Sequence, residues 1–145
     1  INNNLNIYSF LITITHELAH AFVYREYKNI SSPHGEEWKY VFKSMMLNFI
    51  SPEYFPYDVL NALSLHIINP RASTLSDFKL SNALRGYNAV NDLVVLDIDE
   101  GEKFIFNNGN IFLKGKRIRK RYKCIEISTN KQYLFHPLTN VSRIK

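Results

Sequence analysis

The sequence predicts an α+β chain in two parts, a helical part over residues 1–88 and a small β-rich part over 89–145. Three observations predict it. Through residues 5–86 apolar side chains recur every three or four positions, as amphipathic helices require. From Asp92 onward the period falls to two, in short runs rich in Val, Ile, Phe and Tyr separated by Asn, Gly and Ser turns. Pro33, Pro52, Pro56, Pro70 and Gly86 fall between the helical runs, where helix breakers belong.

Composition narrows the function classes. A length of 145 residues leaves room for one domain or a pair of small ones. Hydrophobic content of 46% and charged content of 21% suit a globular chain and argue against disorder. The net charge of +5 favours polyanionic partners. No apolar run is long enough to cross a bilayer and nothing resembles a signal peptide, so no membrane partner is expected. A lone cysteine, Cys124, excludes an intrachain disulfide and, with no export signal, suits the cytoplasm. The oligomeric state is left open.

The first helix is expected over 5–27, after the polar lead-in Asn2-Asn3-Asn4, with Asn4 or Asn6 as its cap. Its apolar stripe is Ile7, Phe10, Leu11, Ile14, Leu18, Ala21 and Phe22, the face expected to pack inward. Within it lies Thr15-His16-Glu17-Leu18-Ala19-His20-Ala21, an H-E-x-x-H pattern. At roughly 100° per residue His16 and His20 stand about 40° apart, one turn above the other, away from the stripe's centre. Two imidazoles so placed can reach one tetrahedral cation, and nitrogen ligands with an open position favour zinc. Glu17, at the stripe's border, can act as general base toward water. Tyr24, one turn beyond His20 on the same face, reads first as a packed or interfacial aromatic and second as a group that orients a ligand or a substrate oxyanion.

A surface pair of solvated histidines is the competing reading, and His34 weighs against it. A catalytic zinc takes three protein ligands. The polar segment 28–33 turns the chain, and Pro33-His34-Gly35-Glu36-Glu37-Trp38 offers a histidine at the acidic start of a second helix.

HELAHAFVYREY followed by PHGEEW resembles the SprT-like (Spartan-related) zinc metalloproteases. The resemblance covers residues 7–49 and matches HExxH, a short loop, and a histidine before Gly at the next helix. It implies a zincin-type metallopeptidase core, one zinc per chain on His16, His20 and His34, and Glu17 as catalytic base. It also implies a protein substrate, including proteins bound or crosslinked to DNA. Domains of that kind carry strands ahead of this helix, and the sequence opens without them, so the chain reads as a fragment or shortened copy.

The second helix is expected over 35–49, with Trp38, Val41, Phe42, Met45 and Leu47 or Phe49 on its apolar face. Glu36 and Glu37 are helix-start charges and not ligands. After the breaks at Pro52 and Pro56 a third helix is expected over 57–68, in which His66 reads as a structural histidine and not a fourth ligand. A fourth should start at Thr74 or Ser76 and close at Gly86.

In the β part, strands are expected over 93–96, 104–106, 111–113, 122–127, 133–135 and 141–144, with Asn107-Asn108-Gly109-Asn110 as a hairpin turn. So many short strands suggest a small SH3-like barrel. One cysteine cannot build a four-cysteine zinc ribbon, and the layout resembles SprT-like proteins with a metal-free β-module in its place. Lys114, Lys116, Arg117, Arg119, Lys120, Arg121 and Lys123 form a basic cluster with Phe112, Tyr122 and Tyr133 nearby. It reads either as a charged hairpin edge or as a nucleic-acid contact. In a continuous strand Arg117, Arg119, Arg121 and Lys123 would point the same way, which makes them the candidate DNA contacts. The alternative to an enzyme is a non-catalytic adaptor that keeps zinc for structure and binds nucleic acid through the β-module.

Overall fold

The structure, a computed structural model, describes residues 4–145 apart from the side chain of Leu75; Asn2 and Asn3 of the polar lead-in lie outside the described residues. The chain divides into two compact units, one ending at Ala89 and the other spanning Val90–Lys145. The first is helical and the second is an antiparallel sheet, so the whole is α+β. Among the described residues no helix is long and apolar enough to cross a membrane.

Helix α1 spans Ile7–Glu26 and is capped by Asn6, whose side chain accepts from the Ser9 N–H at 2.9 Å. Its buried positions are Ile12, Thr15, Ala19 and Val23. This corrects the expected inward face. Ile7 is 72% exposed and Leu18 54%, and Phe10 and Phe22 are also at the surface. Apolar spacing alone does not say which side the next helices cover. Here they pack on the side carrying the two histidines, where small Thr15 and Ala19 let a neighbour approach closely.

That neighbour is α2, Glu36–Met46, which begins at Gly35 with Glu36 and Glu37 in its first turn and tightens into a 3₁₀ turn over Leu47–Phe49. Trp38, Val41, Phe42 and Met46 are its buried residues, a period that continues through Met46 and leaves Leu47 outside. Helix α3, Tyr57–His66, buries Val59, Ala62, Leu63 and His66. Helix α4, Phe78–Arg85, starts later than expected because Asp77 is its cap, accepting from the Leu80 N–H at 3.2 Å, while Thr74–Ser76 form a separate 3₁₀ turn. Leu80 and Leu84 join Phe55, Val59 and Leu63 in one core with Trp38 and Phe42. Asn6 also ties the start of α1 to the end of α4, donating to the Leu84 carbonyl at 2.9 Å.

The second unit holds five strands: β1 Lys103–Phe106, β2 Asn110–Ile118, β3 Arg121–Glu126, β4 Gln132–Phe135 and β5 Ser142–Arg143. They pair antiparallel in the order β4-β3-β2-β1-β5. The sheet is open, with β4 and β5 as its edges, so it is not a closed barrel. The two-residue β5 follows a segment whose carbonyls serve residues 95–96 instead. Accordingly the strand expected over 93–96 is a single bridge, Val94 to Asn140, leading into a 3₁₀ turn over Val95–Asp97. Val95 donates to the Thr139 carbonyl at 3.0 Å and Leu96 to the Pro137 carbonyl at 2.8 Å. The β1–β2 loop uses the left-handed residues Asn107, Asn108 and Gly109, as its Asn-Asn-Gly sequence favours. Phe104, Phe112, Phe135, Cys124, Val95 and Ile98 form the core of this unit.

Candidate metal centre

Helix α1 places His16 and His20 one turn apart, and the loop into α2 swings His34 back over them. Gly35 makes this approach possible: a Cβ there would stand 3.2 Å from the Ser32 carbonyl oxygen, a contact that must push the loop aside. The three rings meet through their Nε2 atoms. His20 and His16 are 3.0 Å apart, His20 and His34 2.9 Å, and His34 and His16 3.2 Å. A tetrahedral ion with bonds of about 2.0–2.1 Å needs ligand atoms roughly 3.3 Å apart, so the trio is close to that spacing. Three neutral imidazoles cannot all satisfy one another there at once. Each has one hydrogen and one lone pair, so an Nε2–H of one ring can serve one neighbour but not both, whereas a cation at the common point engages all three lone pairs. The three half-buried residues can hold a metal ion.

Trp38 builds the wall behind the trio. Its ring lies 4.8 Å from His16, 5.5 Å from His20 in a stacked arrangement, and 4.8 Å from His34. It stacks in turn on Phe42 at 5.0 Å, and its indole N–H donates to the His16 carbonyl at 3.4 Å. Sequence reasoning places Trp38 in the core, where it is, but not under all three imidazoles. The available signal was its position four residues after His34, one helical turn on.

Electrostatics favour the neutral form of His16 and His34. Burial, and then neighbouring His20, lower the pKa of both His16 and His34, while Glu17 pulls the other way without reversing the shift. A metal needs the neutral ring, so this direction favours binding. Glu17 itself is exposed and lines a cavity of about 160 Å³ together with Ile12, His16, Phe42, His66 and the 71–74 segment. Tyr24, 85% exposed, takes no part in the trio. His66 is buried and bonded through Nδ1 to Asp77 at 3.0 Å, apart from the three converging nitrogens.

The basic residues of the second unit are distributed differently from the continuous-strand expectation. Strands β2 and β3 form a hairpin that turns at Arg119-Lys120, with Ile118 opposite Arg121 and Arg119 in the left-handed region at φ 53°. The register shifts by one between Lys114 and Arg117, a bulge at Gly115, where any Cβ would collide with the Lys123 carbonyl oxygen. Arg117 therefore pairs with Tyr122, and its guanidinium lies 6.0 Å from that ring. Arg121 and Lys123 alternate with Tyr122 and lie on the other face of the sheet. The four candidate DNA contacts do not share one face; Lys116, Arg117, Arg119, Lys120 and Arg121 are instead exposed around one hairpin end.

Two members of the sequence cluster leave it. Lys114 is 5% exposed, donates to the Ile98 and Leu96 carbonyls, and lies 4.0 Å over the Tyr122 ring. Burial lowers its pKa. Phe112 sits in the core and cannot stack on a base, whereas Tyr133 is partly exposed. Cys124, opposite Lys114, is buried and free, with its pKa raised by burial.

Comparison with protein families, with curated proteins and with solved structures gave no match.

Proposed function

We propose that this chain is a SprT-like zinc metalloendopeptidase acting on protein substrates, with a basic β-module that engages DNA. The observation that carries the reading is the convergence of three Nε2 atoms at 2.9–3.2 Å beside a cavity lined by Glu17. Zinc suits an all-imidazole set with an open position better than hard cations do, because those prefer oxygen. His16, His20 and His34 would hold it. When bound, zinc supplies Lewis-acid chemistry, polarising a carbonyl and making water a stronger acid.

The chain's own residues do the rest. Glu17 takes the proton of the attacking water and later delivers it to the nitrogen of the leaving amine as the C–N bond breaks, so its carboxylate is regenerated. Its exposure at the cavity mouth leaves that carboxylate accessible to solvent water and substrate. Trp38 and Phe42 hold the imidazoles from behind and keep water from that side.

The second unit's antiparallel meander, with β5 returning to pair with β1, supports an SH3-like module left open at one seam. The exposed basic hairpin end favours a phosphate-backbone contact, and with it proteins on DNA as substrates. The same hairpin is what a non-catalytic zinc-containing adaptor would use. Cleavage of unfolded protein by the zinc-loaded chain, with and without single-stranded DNA, separates the two. The enzyme reading expects cleavage that a chelator abolishes and that Glu17→Gln loses while retaining zinc. DNA binding with no cleavage under any of these conditions would favour the adaptor.

A further inference from the structure

His66 is a buried histidine that the trio leaves unused. It is 3% exposed, yet it lines the same cavity as His16 and Glu17. The last turn of α3 presents it, with Phe42 edge-on at 6.4 Å between ring centroids. Its Nδ1 lies 3.0 Å from Asp77 Oδ2, and the other Asp77 oxygen is fixed by accepting from the Leu80 N–H at 3.2 Å. A carboxylate only accepts, so Nδ1 carries the hydrogen, and in the neutral tautomer this selects the lone pair lies on Nε2. Among the described residues Nε2 has no hydrogen-bond partner, and no buried side-chain nitrogen there is left unsatisfied. Nε2 is therefore not fully sealed, and it belongs to a side chain that lines the cavity. The bond to Asp77 fixes the ring and leaves Nε2 without a protein partner among the described residues.

The cavity walls bear on what Nε2 would meet. Ile12 and Phe42 contribute apolar surface, and the 71–74 segment faces them. That segment is braced: Arg71 donates to the Ser76 carbonyl at 2.6 Å, and Ser81 donates through its hydroxyl to the Thr74 carbonyl at 2.5 Å. The opening is thus a braced slot beside the general base, lined by the side chain that carries this acceptor nitrogen.

Resting on the peptidase reading above, we propose that His66 is a substrate-binding residue whose Nε2 accepts a main-chain N–H of the polypeptide next to the bond being cleaved. Every residue except proline offers that N–H, so the contact aligns a backbone without reading side chains. Asp77 is then a positioning residue, fixing the tautomer and the plane of the ring.

The test uses the zinc-loaded chain with fluorescein-labelled casein. His66→Phe keeps an aromatic ring against Phe42 and removes both nitrogens; kcat/KM should fall by roughly tenfold, as for one substrate N–H left unpaired. The loss should appear mainly as a raised KM, because the contact is made equally before and during the reaction. Zinc content should not change. A second readout needs no substitution at position 66: ¹⁵N NMR of the His66 ring in the zinc-loaded Glu17→Gln chain, titrated with a β-casein peptide. The Nε2 resonance should move as the peptide is added. A wild-type KM and kcat in His66→Phe, or an Nε2 resonance that stays in place through the titration, overturns the proposal. If the wild-type chain leaves casein intact while Nε2 still responds to the peptide, the peptidase reading falls and His66 stands as a peptide-binding residue.

Discussion

Trp38→Ala is the substitution that most directly probes how the histidine trio is held. The indole is 1% exposed and touches all three imidazoles as well as Phe42. Removing a buried aromatic side chain of this size costs about 3–5 kcal/mol, a large share of the roughly 5–15 kcal/mol that stabilises an ordinary domain. The same change frees the rings. If each imidazole regains about 0.5–1 kcal/mol of rotamer freedom, three together weaken metal binding by about 1.5–3 kcal/mol. That is roughly a 10- to 150-fold higher Kd for zinc. Urea unfolding followed by circular dichroism measures the first effect, since the variant has lost the chain's single tryptophan. Competition with a chromophoric chelator measures the second. A variant within about 1 kcal/mol of wild type, with unchanged zinc affinity, would refute the role assigned to the indole wall.

Other expectations follow from the same contacts. Lys114→Met should destabilise the second unit by about 1–3 kcal/mol in thermal unfolding, because the Leu96 and Ile98 carbonyls lose their donor. It should leave DNA affinity unchanged, since the ammonium is buried. Although desolvation alone would raise the Asp77 pKa, the Leu80 N–H and His66 hold it below the usual carboxylate range. Its contribution is therefore present above the unfolded-state value near 4 and is lost as pH falls through the lower folded value. An acid titration of stability should show this loss in wild type and lack it in Asp77→Ala. Replacing Arg117, Arg119 and Arg121 together with glutamine should weaken DNA binding and reduce the salt slope by up to about 3, with zinc content intact; unchanged affinity would return the hairpin to the role of a charged edge.

The three histidines that can hold a metal were legible because they are carried by local spacing. His16 and His20 are one turn apart in any α-helix, and His34 precedes a helix start marked by Gly35, Glu36 and Glu37. The inward face of α1 was not legible, since the stripe of Ile7, Phe10 and Leu18 is as apolar as a core face and only the path of the following loop decides which side is covered. Asp77 was passed over as a cap because Ser76 and Thr74 offer the same chemistry one and three residues earlier; the short 3₁₀ turn they form depends on contacts with later residues such as Ser81. The His66–Asp77 pair spans two helices and leaves no periodic trace. In the β unit, alternation located β1 to β5 but also suggested a strand over 93–96 that is a single bridge, and a one-residue bulge at Gly115 reassigns every side chain beyond it. Lys114 shows the limit of reading charge as surface: its position opposite Cys124, on the inner face, outweighs its type.

The most direct measurement is zinc stoichiometry by elemental analysis of the purified chain after loading and dialysis, alongside His34→Ala. The convergence of His16, His20 and His34 predicts one zinc per chain in the wild type and its loss in the variant, with the helical content of both unchanged. A wild-type chain that binds no zinc, or a His34→Ala chain that keeps a full equivalent, would contradict it.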